Sequence, residues 1–189
     1  MNIDTQAVRA EPHVEIGTLL QQHADEIVDR WCDLARDDLT AAKRAHHVVL
    51  RDELPEFLRV MGHDLKESGL AASERNRRTA SEHGAQRWDS GWSLGELVRD
   101  YQLMRLVILE FLEEHLGRPL FYREAMAVGV FIDDAIATSI NRFVSHRDEN
   151  LHRVERERTE SLKDLSRRKD EFLAILGHEL RNPLSLIHI

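Results

Sequence analysis

Helix breakers are scarce in this sequence. Only four of the 189 residues are proline and nine are glycine, and no stretch alternates apolar and polar side chains as a half-buried strand does. Apolar residues recur instead every three or four positions, a spacing that places them on one face of an α-helix. The sequence therefore predicts an all-α fold.

The first half of the chain predicts amphipathic helices of ordinary length. A first helix is predicted from Pro12 to Asp38, and Thr40 is expected to begin a second one. Pro55 lies inside the apolar pattern of that second helix and should bend or split it. The stretch Ser73–Trp88 is polar and rich in arginine, so we expect it to lie on the surface.

The strongest local start signal is Ser93-Leu94-Gly95-Glu96. Ser93 and Glu96 have the spacing of a capping box, in which each side chain accepts a hydrogen bond from the other residue's amide. The helix that follows, Leu94–Leu116, is apolar on nearly every side and ends at Gly117. It should lie at the centre of a domain or between subunits. A last domain helix is expected from about Leu120.

The next stretch, residues 148–169, is highly charged and contains neither glycine nor proline. Around and within it, apolar residues recur at intervals typical of a heptad seam, namely Val144, Leu151, Leu162, Leu165, Phe172 and Leu176. Glu155, Arg158 and Lys169 interrupt this seam. The pattern predicts a marginal parallel coiled coil. The alternative is a solvated helix face without a partner.

The stretch Phe172–Leu184 reads F-L-A-I-L-G-H-E-L-R-N-P-L. On a helix its Phe and Leu residues form one stripe, and His178 points away from that stripe. An exposed histidine near neutral pH is largely an unprotonated nucleophile. Glu179 follows it directly, Asn182 lies one turn on, and Pro183 should bend the helix. The alternative is an ordinary surface histidine.

These thirteen residues resemble the phosphoacceptor motif of sensor histidine kinases. The resemblance implies an ATP-dependent kinase in which His178 is phosphorylated and Glu179 polarises or deprotonates its ring. Asn182 would tune phosphatase activity, and the phosphoryl group would pass to an aspartate of a response regulator. ATP and Mg²⁺ would bind a separate kinase lobe whose sequence boxes do not occur here, so this chain alone should be inactive.

A second resemblance lies upstream, in W-D-S-G-W-S-L-G-E-L-V-R-D-Y-Q-L-M-R from Trp88 to Arg105. It is similar to the N-terminal sensor domain of stressosome RsbR-type proteins, a haem-free relative of the globin fold that forms dimers. The resemblance implies a globin-like sensor domain over residues 12–147 and a homodimer. It also offers an alternative function, a non-enzymatic stressosome-like sensor or scaffold.

Several side chains are candidate ligand-binding groups by residue type alone. Globin-like folds can hold haem through a helix histidine, and the candidates here are His63, His83 and His115. None lies in a supporting motif, so we expect no haem and no other cofactor in this chain. Arg99 and Arg105 could meet an anionic ligand, although we expect them to pair with Glu96, Asp100 or Glu110.

Composition limits the classes of binding partner and the cellular compartment that we expect for this chain. The net charge is −8, and acidic and basic residues are interspersed along the chain. This pattern argues against nucleic-acid binding, which requires a basic face. The longest apolar run, Ala125–Ile132, is too short to span a membrane. Cys32 is the single cysteine, so the chain cannot form an internal disulfide. No Cys/His spacing is typical of a metal site, and the first residues of the sequence do not have the pattern of a signal peptide. We therefore expect a cytoplasmic protein.

The predicted organisation follows from these signals. Residues 1–11 form a loose arm, 12–147 the sensor domain and 148–169 a coiled-coil signalling linker, and 170–189 begin a dimerisation and phosphoacceptor domain. The expected function is the sensor portion of a two-component histidine kinase. In that interpretation the linker transmits the signal to His178.

Overall fold

A computed structural model describes residues 8, 10–44, 50, 51, 53–67 and 74–184, with side chains described as far as His178. Most of these residues are helical and none is in a β-strand, so the predicted all-α fold class is confirmed. The described helices are α1 (Val14–Gln22), α2 (Ala24–Asp38), α3 (Thr40–Arg44), α4 (Leu54–Lys66), α5 (Glu74–Asp89), α6 (Leu94–Leu116) and α7 (Tyr122–Leu184).

The chain divides into two compact units, residues 1–146 and residues 147–189. We call the described residues of the first unit the body and those of the second unit the tail. Of the predicted arm, only residues 8, 10 and 11 are described, and positions 45–49 and 52 of the predicted second helix lie outside the described residues. No helix in the described part of the chain is both long and apolar enough to cross a bilayer.

The predicted first helix is two helices that meet at His23. The His23 backbone, with φ −113° and ψ 19°, leaves the helical conformation. Its amide donates to the Leu19 carbonyl and its own carbonyl accepts from Ile27, each at 3.0 Å. The single-helix prediction was wrong because both helices bury their apolar residues in one core, so the apolar spacing continues across the break.

Helices α1 and α4 cross at two glycines. A Cβ atom on Gly17 would lie 2.5 Å from the Gly62 carbonyl oxygen, and one on Gly62 would lie equally close to the Gly17 carbonyl oxygen. Only glycine allows this approach. Pro55 is the second residue of α4, in the first turn, where a missing amide costs no intrahelical hydrogen bond.

Helix α6 begins and ends where the sequence predicts. The Ser93 hydroxyl accepts from the Glu96 amide at 3.2 Å, and the Glu96 carboxylate accepts from the Ser93 amide at 3.0 Å. Gly117 ends the helix in the left-handed region, with φ 63°. The buried side chains of α6 are Leu97, Asp100, Tyr101, Leu103, Met104, Val107, Ile108, Phe111 and Leu112. The predicted burial of this helix is thus confirmed for nine side chains, whereas Leu106 is 55% exposed.

Helix α7 begins at Tyr122, two positions later than expected, and continues through the predicted linker to Leu184. Its body portion packs into the core through Ala127, Val128, Phe131, Ile132, Ala135 and Phe143. In the tail, by contrast, every residue from 151 to 178 is exposed.

Candidate functional site

The histidine motif lies on the tail portion of α7. His178 is exposed, as is every other residue from 151 to 178. Glu179 and Asn182 follow in the same helix, but their side chains lie outside the described residues. Phe172 and Leu173, from the apolar stripe of the motif, are 60% and 54% exposed. The roles that the kinase resemblance gives to these residues therefore stay predictions.

A group of polar side chains lies at the centre of the body. His83 and Arg87, one turn apart on α5, face Asp100 in the second turn of α6. Arg87 Nε donates to Asp100 Oδ2 at 2.8 Å, and His83 Nε2 lies 3.0 Å from the same oxygen. All three side chains are at most 2% exposed. We call these three residues the polar core cluster.

The Arg87 guanidinium has partners on every side. It donates to the Leu50 carbonyl at 3.1 Å as well as to Asp100. Its central carbon lies 4.4 Å from the ring centre of Trp92 and 5.7 Å from that of Trp31, distances that favour cation–π attraction. A buried charge is stable only when it is paired and hydrogen-bonded, and Arg87 meets that condition.

Protonation within the cluster follows from burial and charge. Burial alone would raise the pKa of the Asp100 carboxyl, but Arg87 and His83 together hold that pKa below its ordinary value. Burial and the positive charge of Arg87 lower the pKa of His83, against the opposing effect of Asp100. His83 is therefore neutral near pH 7 and donates its Nε2 hydrogen to the carboxylate.

A second set of hydrogen bonds joins the same region to α7. The Tyr101 hydroxyl lies 2.7 Å from Ser139 Oγ, which donates to the Ala80 carbonyl at 2.5 Å. The His83 ring meets the Tyr101 ring edge to face, with centres 5.2 Å apart. A Cβ atom on Gly84 would overlap the Ser139 backbone. Helices α5, α6 and α7 thus meet directly, and we call this contact the Ser139 junction.

Neither the polar core cluster nor the Ser139 junction is open to solvent. Ser139 and Tyr101 are no more than 2% exposed, like the three cluster residues. A substrate cannot reach side chains buried to this degree without opening the helices. The arrangement is suited to holding α5, α6 and α7 in one relative position.

Several polar residues of α5 are buried, although the sequence predicts a surface position for them. The expectation that Ser73–Trp88 lies on the surface was wrong for Asn76, Thr79, His83 and Arg87, which are all buried. The useful signal was Asp100, an acid on the apolar face of α6 that requires a buried cation. The predicted pairing of Asp100 with Arg99 or Arg105 was wrong, because both arginines have other partners.

Arg99 and Arg105 pair with acids on other helices. Arg99 donates to Asp38 at 2.7 Å, and Arg105 donates to Asp133. The predicted pairing within α6 was wrong because Asp38 and Asp133 are distant in sequence and only the fold brings them close to these arginines. Of the three haem candidates, His63 and His115 are exposed and His83 Nε2 is bound to Asp100.

The fold defines an all-helical domain that continues into one long helix. Residues 25–158 match the sequence model of a family described as the RsbT co-antagonist protein rsbRD N-terminal domain. The match covers more than half of the chain, and the chain therefore belongs to that family. No curated protein and no solved structure matches it. The matched region contains the polar core cluster and the Ser139 junction.

Proposed function

We propose that this chain is a signal-receiving module of the stressosome-sensor type. In this proposal the body receives a stimulus and α7 passes it on. The observation that carries the proposal is the family match over residues 25–158, which spans most of the body and the beginning of the tail. The stressosome-type module does not require the chain to act as an enzyme.

The Ser139 junction supplies the first step of the proposed transmission. Ser139 belongs to α7, and its side chain is bonded to α6 through Tyr101 and to α5 through Ala80. Because Gly84 packs against the Ser139 backbone, a shift of α5 at this point must displace α7. Packed interfaces of this kind change between discrete arrangements and do not deform continuously.

The tail supplies the second step by pairing with another copy of the chain. Its seam residues Leu151, Leu162 and Leu165 are 58% to 62% exposed. Burial of one such side chain contributes about 1.5–3 kcal/mol, so two tails gain stability by pairing. The polar positions Glu155 and Arg158 weaken the seam, which brings alternative packings close in free energy.

Disulfide crosslinking tests both steps. A Leu165→Cys variant places a thiol in the seam, and Arg167→Cys places one about 200° away around the helix. Cys32 can stay in place, because it is fully buried and burial raises its thiol pKa to about 11. The crosslinked dimer should form several times faster with Leu165→Cys than with Arg167→Cys under mild oxidation.

Tyr101→Phe in the Leu165→Cys background tests transmission from the body. This change removes the hydroxyl bonded to Ser139 and should alter the crosslinking rate several-fold. The only other tyrosine, Tyr122, is 65% exposed, and Tyr122→Phe should leave the rate unchanged. Equal rates in both variants, with circular dichroism showing both folded, would contradict transmission through the Ser139 junction.

A histidine-kinase output is a second candidate, favoured by the thirteen-residue motif and by the exposure of His178. A kinase lobe would transfer the γ-phosphoryl group of ATP to an imidazole nitrogen of His178, releasing ADP. The group would then pass to an aspartate carboxylate of a response regulator. In a protein that joins this chain to a kinase lobe, His178→Gln should abolish acid-labile labelling from γ-labelled ATP. Retained labelling would remove this candidate and leave the sensor module standing.

A further inference from the structure

Two histidines from distant parts of the sequence lie side by side on the surface of the body. His23 separates α1 from α2, and His115 belongs to the last turn of α6. Their ring centres are 5.4 Å apart and the ring planes are inclined by 46°. The His23 side chain is 35% exposed and His115 is also exposed. An ion in solution can therefore reach both rings.

Each ring has one nitrogen already engaged. His23 Nδ1 lies 3.2 Å from the Glu26 carboxylate, and His115 Nδ1 lies 2.9 Å from the Phe111 carbonyl oxygen. Both partners are acceptors, so each Nδ1 carries the hydrogen and each neutral ring keeps a lone pair on Nε2. Metal-binding histidines usually donate their other N–H to a carboxylate or a backbone carbonyl in this way.

The two ring centres lie at a separation that two ligands on one ion can have. With Zn–N distances of about 2.0–2.1 Å, imidazoles at a tetrahedral angle have ring centres about 5.2 Å apart. The His115 ring also stacks on Phe111, with centres 3.8 Å apart and planes 15° apart. Stacking limits the orientations that the His115 ring can adopt, which lowers the entropy cost of coordination.

The charges beside the two rings favour a cation. Arg30 donates to Glu114 at 2.6 Å and to Glu26 at 3.1 Å. One guanidinium between two carboxylates leaves a net negative charge close to both histidines. A positive ion bound there gains electrostatic attraction.

The geometry points to a two-histidine site for a divalent transition-metal ion that prefers imidazole, of the zinc, nickel or copper class. Within the described part of the chain, no group of three or more His, Cys, Asp and Glu side chains can hold a metal. In this proposal the described residues contribute His23 and His115 as ligands, and water completes the coordination shell. A bound ion would fasten the junction of α1 and α2 to the end of α6.

Titration of the full chain with Zn²⁺, followed by calorimetry, tests this site. His23→Gln and His115→Gln should each weaken Zn²⁺ binding by about tenfold or more, because each removes one of two ligands. His63→Gln removes an exposed histidine of α4 and should leave the affinity unchanged. Circular dichroism spectra that match the wild type would show that the variants are folded.

Long-range ¹H–¹⁵N NMR of the histidine rings supplies an independent measurement. Zn²⁺ should shift the Nε2 resonances of His23 and His115 while both Nδ1 atoms stay protonated. The proposal is overturned if the wild-type chain does not bind Zn²⁺, if both Gln variants bind it as tightly as the wild type, or if only other histidines shift.

Discussion

Helix α7 has two very different surroundings along its length. In the body, α7 buries six apolar side chains between Ala127 and Phe143, and Ser139 is fully buried. In the tail every residue from 151 to 178 is exposed, including large apolar ones. Regular helical spacing is common to both parts, so the spacing alone does not determine burial. The difference is whether the chain itself supplies a partner for the apolar face.

Charged residues show the same contrast. In the body, Arg87 and Asp100 are 1% exposed and fixed by several partners. In the tail, Arg167 and Glu171 form an ion pair across one turn at 3.2 Å, with both side chains more than 60% exposed. An exposed pair of this kind contributes about 0.3–0.5 kcal/mol. Changes to the body charges should therefore have far larger effects on stability.

Arg87→Met should give the largest loss of stability. It leaves the buried Asp100 carboxylate without its cation, which costs about 3–5 kcal/mol. Urea denaturation measures the change, with Arg78→Met as the control. Arg78 pairs with Glu82 on the surface of α5, and its replacement should change the free energy of unfolding by less than about 0.5 kcal/mol.

A double variant sharpens this result. Adding Asp100→Leu to Arg87→Met removes the uncompensated charge and should recover part of the lost stability, because apolar replacements of buried ion pairs are tolerated. If the double variant is no more stable than Arg87→Met alone, the loss of stability in Arg87→Met does not come from an unpaired buried carboxylate.

Gly84→Ala should give the next largest effect. The added methyl group would overlap the Ser139 backbone, and overpacking of this kind costs about 1–3 kcal/mol. Gly129→Ala is the matched control, because a Cβ atom at Gly129 of α7 meets nothing within 4 Å. That control should be neutral or stabilising by about 0.5–1 kcal/mol, since alanine is the better helix former. Similar losses in both variants would contradict a close α5–α7 contact.

Burial of neutral His83 should make the stability of the body depend on pH. Burial lowers the pKa of His83 in the folded chain, whereas an unfolded histidine binds a proton near pH 6.5, about its ordinary value. The contribution to stability is therefore complete above pH 6.5 and is lost as pH falls below it. The loss is at most about 1.4 kcal/mol per pH unit for one proton.

His83→Gln removes that titration while keeping a donor toward Asp100. Urea denaturation between pH 7.5 and pH 5.5, both chosen to bracket the ordinary pKa of about 6.5, should give a shallower decline for the variant. Parallel declines for the two proteins would show that His83 is not held neutral in the core.

Leu165→Asp should have the smallest effect on the unfolding of the body. Leu165 is 62% exposed within the chain, so its replacement should change that free energy by less than about 0.5 kcal/mol. The same change places a charge in the proposed seam and should convert a dimer into a monomer in light scattering. Arg167→Asp, on the opposite side of the helix, should keep the mass of the wild type.

Local signals in the sequence predicted the elements better than their packing. The capping box of Ser93 and Glu96 and the end at Gly117 involve neighbouring residues, so both could be predicted and both are confirmed. The burial of Arg87 depends on Asp100 and on the two tryptophans. Only the fold brings these partners together. The polar sequence of α5 therefore led to the wrong prediction that Arg87 lies on the surface.

The break at His23 was missed for a related reason. No proline or glycine marks it, and the apolar spacing of α1 continues into α2. The Ser139 junction also had no local signal, because Tyr101 and Gly84 reach Ser139 from other helices. The exposure of His178 does not test the helical-wheel argument, because the apolar stripe of the motif is exposed as well.

Amide hydrogen exchange along α7 tests the central contrast most directly. Residues 127–143 pack within the body, and their protection should not depend on protein concentration. Residues 151–176 should gain protection as the concentration rises, and Leu165→Asp should abolish that gain. Protection of residues 151–176 that is the same at every concentration would contradict the account, because the exposed seam would then need no second copy.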